Sequence, residues 1–140
     1  MRANLKIGFD RPVSDQEQVS PGSFTIILKN GEKRQFDFIE SAGGRDPEDG
    51  SIYECEFRGL DIDYEDGSRL TVKELRNVDK VEEIYISIYR ESDEKDFEPL
   101  KVTKIFSFDF DEIDEKDQYV EASIPKRLLT PDVAYIDYES

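Results

Sequence analysis

Carboxylates are the chemically capable side chains that this sequence supplies in quantity. Glu54 and Glu56, then Asp61, Asp63 and Glu65, recur at every second position through two adjoining runs, and Asp109 and Asp111 repeat the pattern further on. On a strand, alternate residues share one face, so each set is expected to form a row pointing away from the apolar residues between them. Such rows can solvate a sheet, bind a cation, hydrolyse a glycoside, or imitate a polyphosphate.

Glycoside hydrolysis needs one carboxyl held protonated in an apolar cleft and a second beside it. No pair stands out among 34 Asp and Glu, and tryptophan, a common sugar platform, is absent. Histidine is absent too, which removes the most common general base and transition-metal ligand. With a single cysteine, Cys55, the chain can build neither a usual zinc site nor a Ser-His or Cys-His nucleophile. Cys55, between Tyr53 and Phe57, reads as a small buried hydrophobe. There is no phosphate-binding GxxxxGK[ST] or GxGxxG pattern, and Gly43-Gly44-Arg45 is too short to serve as one. The expectation is a protein that is not an enzyme and has no cofactor or metal.

The start of the Asp61–Glu65 run looks like the opening of an EF-hand loop. It departs from one where Asp66 replaces the required Gly and Val72 the bidentate Glu. The acidic stretch 109–117 offers a looser calcium alternative. Mimicry of nucleic acid fits better. Carboxylates two residues apart on a strand lie about 6.6 Å from one another, against a rise of about 3.4 Å per phosphate on a DNA strand. A row of them presents a comparable negative field.

The charge balance agrees. The 140 residues hold 19 Lys and Arg against 34 Asp and Glu, a net charge of −15. A chain of that charge repels nucleic acid and anionic membranes, and its macromolecular counterparts are basic surfaces. The expected partner is a basic protein, a DNA- or RNA-binding enzyme in the specific version. In physical type the chain resembles the small, acidic, histidine-free inhibitors of phages and mobile elements, anti-restriction and anti-CRISPR proteins among them. No residue motif carries that resemblance. The alternatives are an assembly protein that self-associates through its tyrosines and sheet edges, and a calcium-binding β-module.

The elements that must position these acids are strands. Apolar residues alternate in 5–9, 24–28, 36–38, 53–57, 60–64, 81–89, 100–110, 119–124 and 134–138, separated by expected loops at 10–22, 41–50 and 91–99. Strands 24–28 and 36–38 meet through Lys29-Asn30-Gly31. A three-residue loop with Gly31 in the left-handed place sets Leu28 opposite Glu32, Ile26 opposite Arg34 and Phe24 opposite Phe36. The inward parity switches at Gly59, which predicts a β-bulge there. Glu65-Asp66-Gly67 repeats the loop chemistry and would set Ile62 opposite Leu70. Thr71-Val72-Lys73-Glu74 is a capping box for a short helix carrying Val72, Leu75 and Val78. In the strand at 81–89, Ile84, Ile86 and Ile88 face in. Tyr85 and Tyr89 lie on the opposite face, as contact anchors if it is exposed and as core if it is covered. Leu100, Val102, Phe106, Phe108 and Phe110 share an inward face, and residues 126–129 hold one helical turn.

These segments predict one mainly β domain over residues 1–140, an antiparallel sandwich or barrel of about eight strands with one or two short helices. The N-terminal MRANLKIGFD lacks the apolar core of a signal peptide, and no apolar run approaches membrane-spanning length. The expected location is therefore the cytoplasm.

Overall fold

The computed structural model describes residues 1–11, 13, 17–38, 40–45, 53–60, 71–90 and 99–139, with only the backbone along 40–45 and 53–60 and at 21 and 139. The strands are β1 (Arg2–Phe9), β2 (Glu17–Leu28), β3 (Lys33–Asp37), β4 (Glu40–Arg45), β5 (Tyr53–Leu60), β6 (Val78–Arg90), β7 (Val102–Ile113), β8 (Tyr119–Ser123) and β9 (Ala134–Glu139). A one-turn helix, α1 (Val72–Leu75), precedes β6, and short 3-10 turns at Lys126–Leu128 and Pro131–Val133 lead into β9. Two open sheets result, ordered β4-β5-β1-β7-β8 and β3-β2-β6-β9. The fold is thus mainly β and a sandwich rather than a closed barrel. Every pairing is antiparallel except β6 with β9, which is parallel.

Aromatic rings join the two sheets. Phe24 of β2 meets Phe108 of β7 edge to face at 4.9 Å, stacks on Phe36 at 5.1 Å, and lies 5.2 Å from Phe38. Such pairs stabilise by roughly 0.5–1.5 kcal/mol each beyond the area they bury. Leu5, Ile7, Phe9, Ile26, Ile84 and Ile88 surround them with no exposure at all.

Local chemistry explains the hairpin between β2 and β3. Gly31 has φ +85°, and its N–H donates to the Leu28 carbonyl. The register is the one that parity required: Ile26 opposite Arg34, Phe24 opposite Phe36, with Leu28 N–H bonded to the Glu32 carbonyl at 2.9 Å. The capping box also forms, the Glu74 N–H donating to Thr71 Oγ1 at 3.2 Å.

Several expectations are corrected. Residues 17–22 and 41–45, expected as loop, are strand. In β4 the weak strand formers Ala42, Gly43 and Gly44 are held by pairing with β5, and the register slips between Ala42 and Arg45, where the two glycines stand. The bulge expected at Gly59 is not there: Arg58, Gly59 and Leu60 pair in unbroken register with Asn4, Ala3 and Arg2. Gly59 stands opposite the fully buried Ala3, so two small residues meet on the inner side. Val78 opens β6 instead of ending the helix.

Phe106 does not face in. The β1–β7 register jumps between Lys6 opposite Ser107 and Ile7 opposite Ile105, which puts Phe106 in a bulge. Ile105 takes the core position, and Phe106 lies on the outer side beneath the ammonium groups of Lys104 at 4.9 Å and Lys6 at 5.7 Å. The expected Glu65-Asp66-Gly67 turn and the facing of Ile62 with Leu70 lie outside the described residues.

Candidate functional site

Strand register gathers four of the seven singled-out acids on one surface. Glu54 stands opposite Gly8 and Glu56 opposite Lys6, while Asp109 and Asp111 stand opposite Asn4 and Arg2. All four positions belong to the outer face of the five-stranded sheet, the side away from Leu5 and Ile7. Asp61, Asp63 and Glu65 lie outside the described residues.

The same register threads cations through that row. Arg2 and Lys6 alternate along β1, Arg58 pairs with Asn4, and Lys104 pairs with Gly8. Arg2 grips Asp111 with two hydrogen bonds, Nε to Oδ1 at 3.1 Å and Nη2 to Oδ2 at 2.8 Å. The guanidinium holds the Asp111 carboxyl below the usual carboxylate range, first through those hydrogen bonds. The Tyr119 hydroxyl donates to Asp111 at 3.2 Å and lies 3.4 Å from Glu121. Loss of water around that hydroxyl and the adjacent Asp111 charge raise the Tyr119 pKa. Asp109 accepts from Ser123 Oγ at 2.7 Å. Arg2, Ala3, Asn4, Asp109 and Asp111 line a shallow depression of about 260 Å³. The surface is thus of mixed charge and not a continuous acidic row.

The 109–117 stretch runs into the turn between β7 and β8, where Asp114 serves the backbone. Asp114 Oδ1 accepts from the N–H groups of Lys116 and Gln118 at 2.8 and 2.9 Å, and Asp117 takes φ 58° in the turn. Among the described residues no three Asp, Glu or Cys side chains converge as a metal site requires.

Tyr85 and Tyr89 lie on the outer face of the four-stranded sheet, opposite the buried Ile84, Ile86 and Ile88. Tyr89 is 42% exposed, and Tyr135 of β9, on the same face, 52%. The Tyr85 hydroxyl donates to Asp137 Oδ2 at 2.7 Å. Position 55, on β5, stands opposite the buried Ile7.

An ionic cluster at one end of the sandwich escaped sequence reasoning. The Glu17 carboxylate is wholly buried. It accepts from Arg11 Nη1 at 2.7 Å and Nη2 at 3.1 Å, and Arg90 Nε stands 3.7 Å from it. Arg90 in turn stacks on the Tyr138 ring at 4.1 Å, and the Tyr138 hydroxyl accepts from the Leu100 N–H. Hydrogen bonding to Glu17 raises the Arg11 pKa. The signal that pointed here was an acid directly after a polar stretch, with arginines in 10–22 and at the end of 81–90, and nothing local joins them.

Among the described residues no helix is long and apolar enough to cross a membrane. Comparison with protein-family models, with curated proteins and with solved structures finds no match to this chain.

Proposed function

We propose that the chain is a non-enzymatic binding domain that meets a basic protein surface, and in its most specific form an inhibitor that occupies the nucleic-acid groove of a DNA- or RNA-processing enzyme. The observation that carries this is how the charge is distributed. Residues 46–52, 61–70 and 91–98 hold twelve acids against Arg69 and Lys95, so ten of the fifteen net negative charges reside in three segments that link the described strands and helix. Within the sandwich, arginines are engaged internally: Arg2 with Asp111, Arg11 and Arg90 with Glu17, and Arg34 with Glu32 and Glu74. A net charge of −15 suits a basic counterpart outside the chain.

Capture from a cell lysate on the immobilised protein, at low and then high salt, tests this. Contacts between charge pairs weaken as salt rises. The expected result is one dominant nucleic-acid-binding protein, retained at low salt and released at high. Retention of nothing at either salt, or of partners indifferent to salt, counts against it.

A further inference from the structure

The outer face of the four-stranded sheet carries cations at one end, where Lys33 of β3 and Lys80 of β6 stand opposite Ile27 of β2 and Lys33 pairs with Glu82. No Lys or Arg occurs in β2, in residues 81–89 or in β9. Arg90, the next residue of β6, is turned inward to Glu17 and Tyr138. The parallel pair β6–β9 presents three successive rungs on this face: Tyr85 beside Tyr135, Ser87 beside Asp137, and Tyr89 beside Glu139. Rungs on one face are about 6.6 Å apart. The β2 neighbours Ser23, Ser20 and Gln18 are small or uncharged. Ser87, in the middle rung, is 7% exposed, and its hydroxyl has no hydrogen-bond partner among the described residues. The result is a serine-floored strip with a carboxylate at its centre and tyrosines at the rungs on either side.

We infer that this strip, and not the mixed-charge face of the other sheet, is where an arginine-bearing segment of the partner docks, one guanidinium seated at the Asp137 rung. The inference rests on the proposed basic partner and specifies its side chain and its place of contact. A guanidinium suits the strip better than an ammonium. Its plane stacks on aromatic rings while its edge donates to a carboxylate, and it is the more weakly hydrated of the two. Tyr85 fixes Asp137 from one side, so the carboxylate is positioned before a ligand arrives. Among the described strands β9 ends its sheet, the position at which an extended segment adds to a sheet.

The test titrates the isotope-labelled full chain with hexa-arginine and with hexa-lysine at physiological salt, following backbone amide shifts. The expected shifts cluster at 83–89 and 135–137. Hexa-arginine should bind several-fold more tightly than hexa-lysine, and the double variant Tyr89→Ser, Tyr135→Ser should bind about tenfold more weakly. Both tyrosines are exposed, so the variant should keep the wild-type melting temperature. Shifts confined to the other sheet or to the acidic segments, with the variant binding as wild type, overturn the inference and leave the basic-partner proposal standing. No binding of either peptide, even at low salt, overturns both. A dimer of the free protein that the double variant dissociates shows a second copy covering the strip, and also overturns the inference.

Discussion

The carbonyl oxygen of Tyr85 sits so close above Gly22 that a Cβ added at Gly22 would lie 1.7 Å from it and 2.8 Å from the carbonyl carbon. The contact occurs where the β2–β6 register slips between Ser20 and Ser23, just after Pro21. The Gly22 carbonyl also accepts from the Phe38 N–H at 2.7 Å, tying β3 to the same point. One glycine thus lets β2 cross close beneath the strand that displays Tyr85.

Gly22→Ala should therefore be severely destabilising, by about 3 kcal/mol or more, because the obstructing atoms are backbone. Chemical denaturation measures it. A loss below about 1 kcal/mol would mean that the two strands can part there at little cost.

The β7 bulge separates two neighbouring apolar residues. Ile105→Ala should cost about 2–4 kcal/mol, as expected for a buried aliphatic truncation. Phe106→Ala should cost only about 1 kcal/mol, from lost stacking under Lys104 and Lys6. Equal losses, or the reverse order, would restore the simple alternation in which Phe106 faces in.

Glu17 supplies the buried anion that Arg11 and Arg90 share. Glu17→Gln keeps the shape and removes the charge, and should cost about 2–4 kcal/mol. Double-mutant cycles with Arg11→Met should show strong coupling, since removing both charges together is less harmful than removing one. Additive losses would mean that the pair does not act as a unit.

The Arg2–Asp111 pair has a defined pH signature. The folded pKa of Asp111 is depressed, so its contribution is present above the unfolded carboxylate pKa and is lost as pH falls through the lower folded value. Wild type should melt above Arg2→Gln at neutral pH, and the gap should close as the solution is acidified through the carboxylate range. A gap that stays constant down to acid pH would show that Asp111 draws nothing from Arg2.

Where local pattern and local chemistry coincide, the fold was legible. Gly31 set the β2–β3 register, Thr71 and Glu74 set the helix start, and Ile84, Ile86 and Ile88 set the inner face of β6. It failed where pairing across the chain overrides propensity. Ala42-Gly43-Gly44 become strand only because β5 lies beside them. Phe106 turns outward only because β1 and β7 are out of step by one residue. The acids were visible at once, yet what neutralises them was not. Arg2 and Asp111 are 109 positions apart, and only the sheet order brings them together. The tyrosine strip was half visible: Tyr85 and Tyr89 showed by parity and the strand at 134–138 by alternation, whereas the parallel pairing that sets Tyr135 and Asp137 beside β6 had no local signature.

The most direct test of the central claim is competition. A labelled DNA or RNA duplex is bound to the captured partner, and this protein is titrated in while the bound duplex is followed. The account predicts stoichiometric displacement of the duplex, weakening as salt rises. A ternary complex in which partner, duplex and this protein coexist would contradict it.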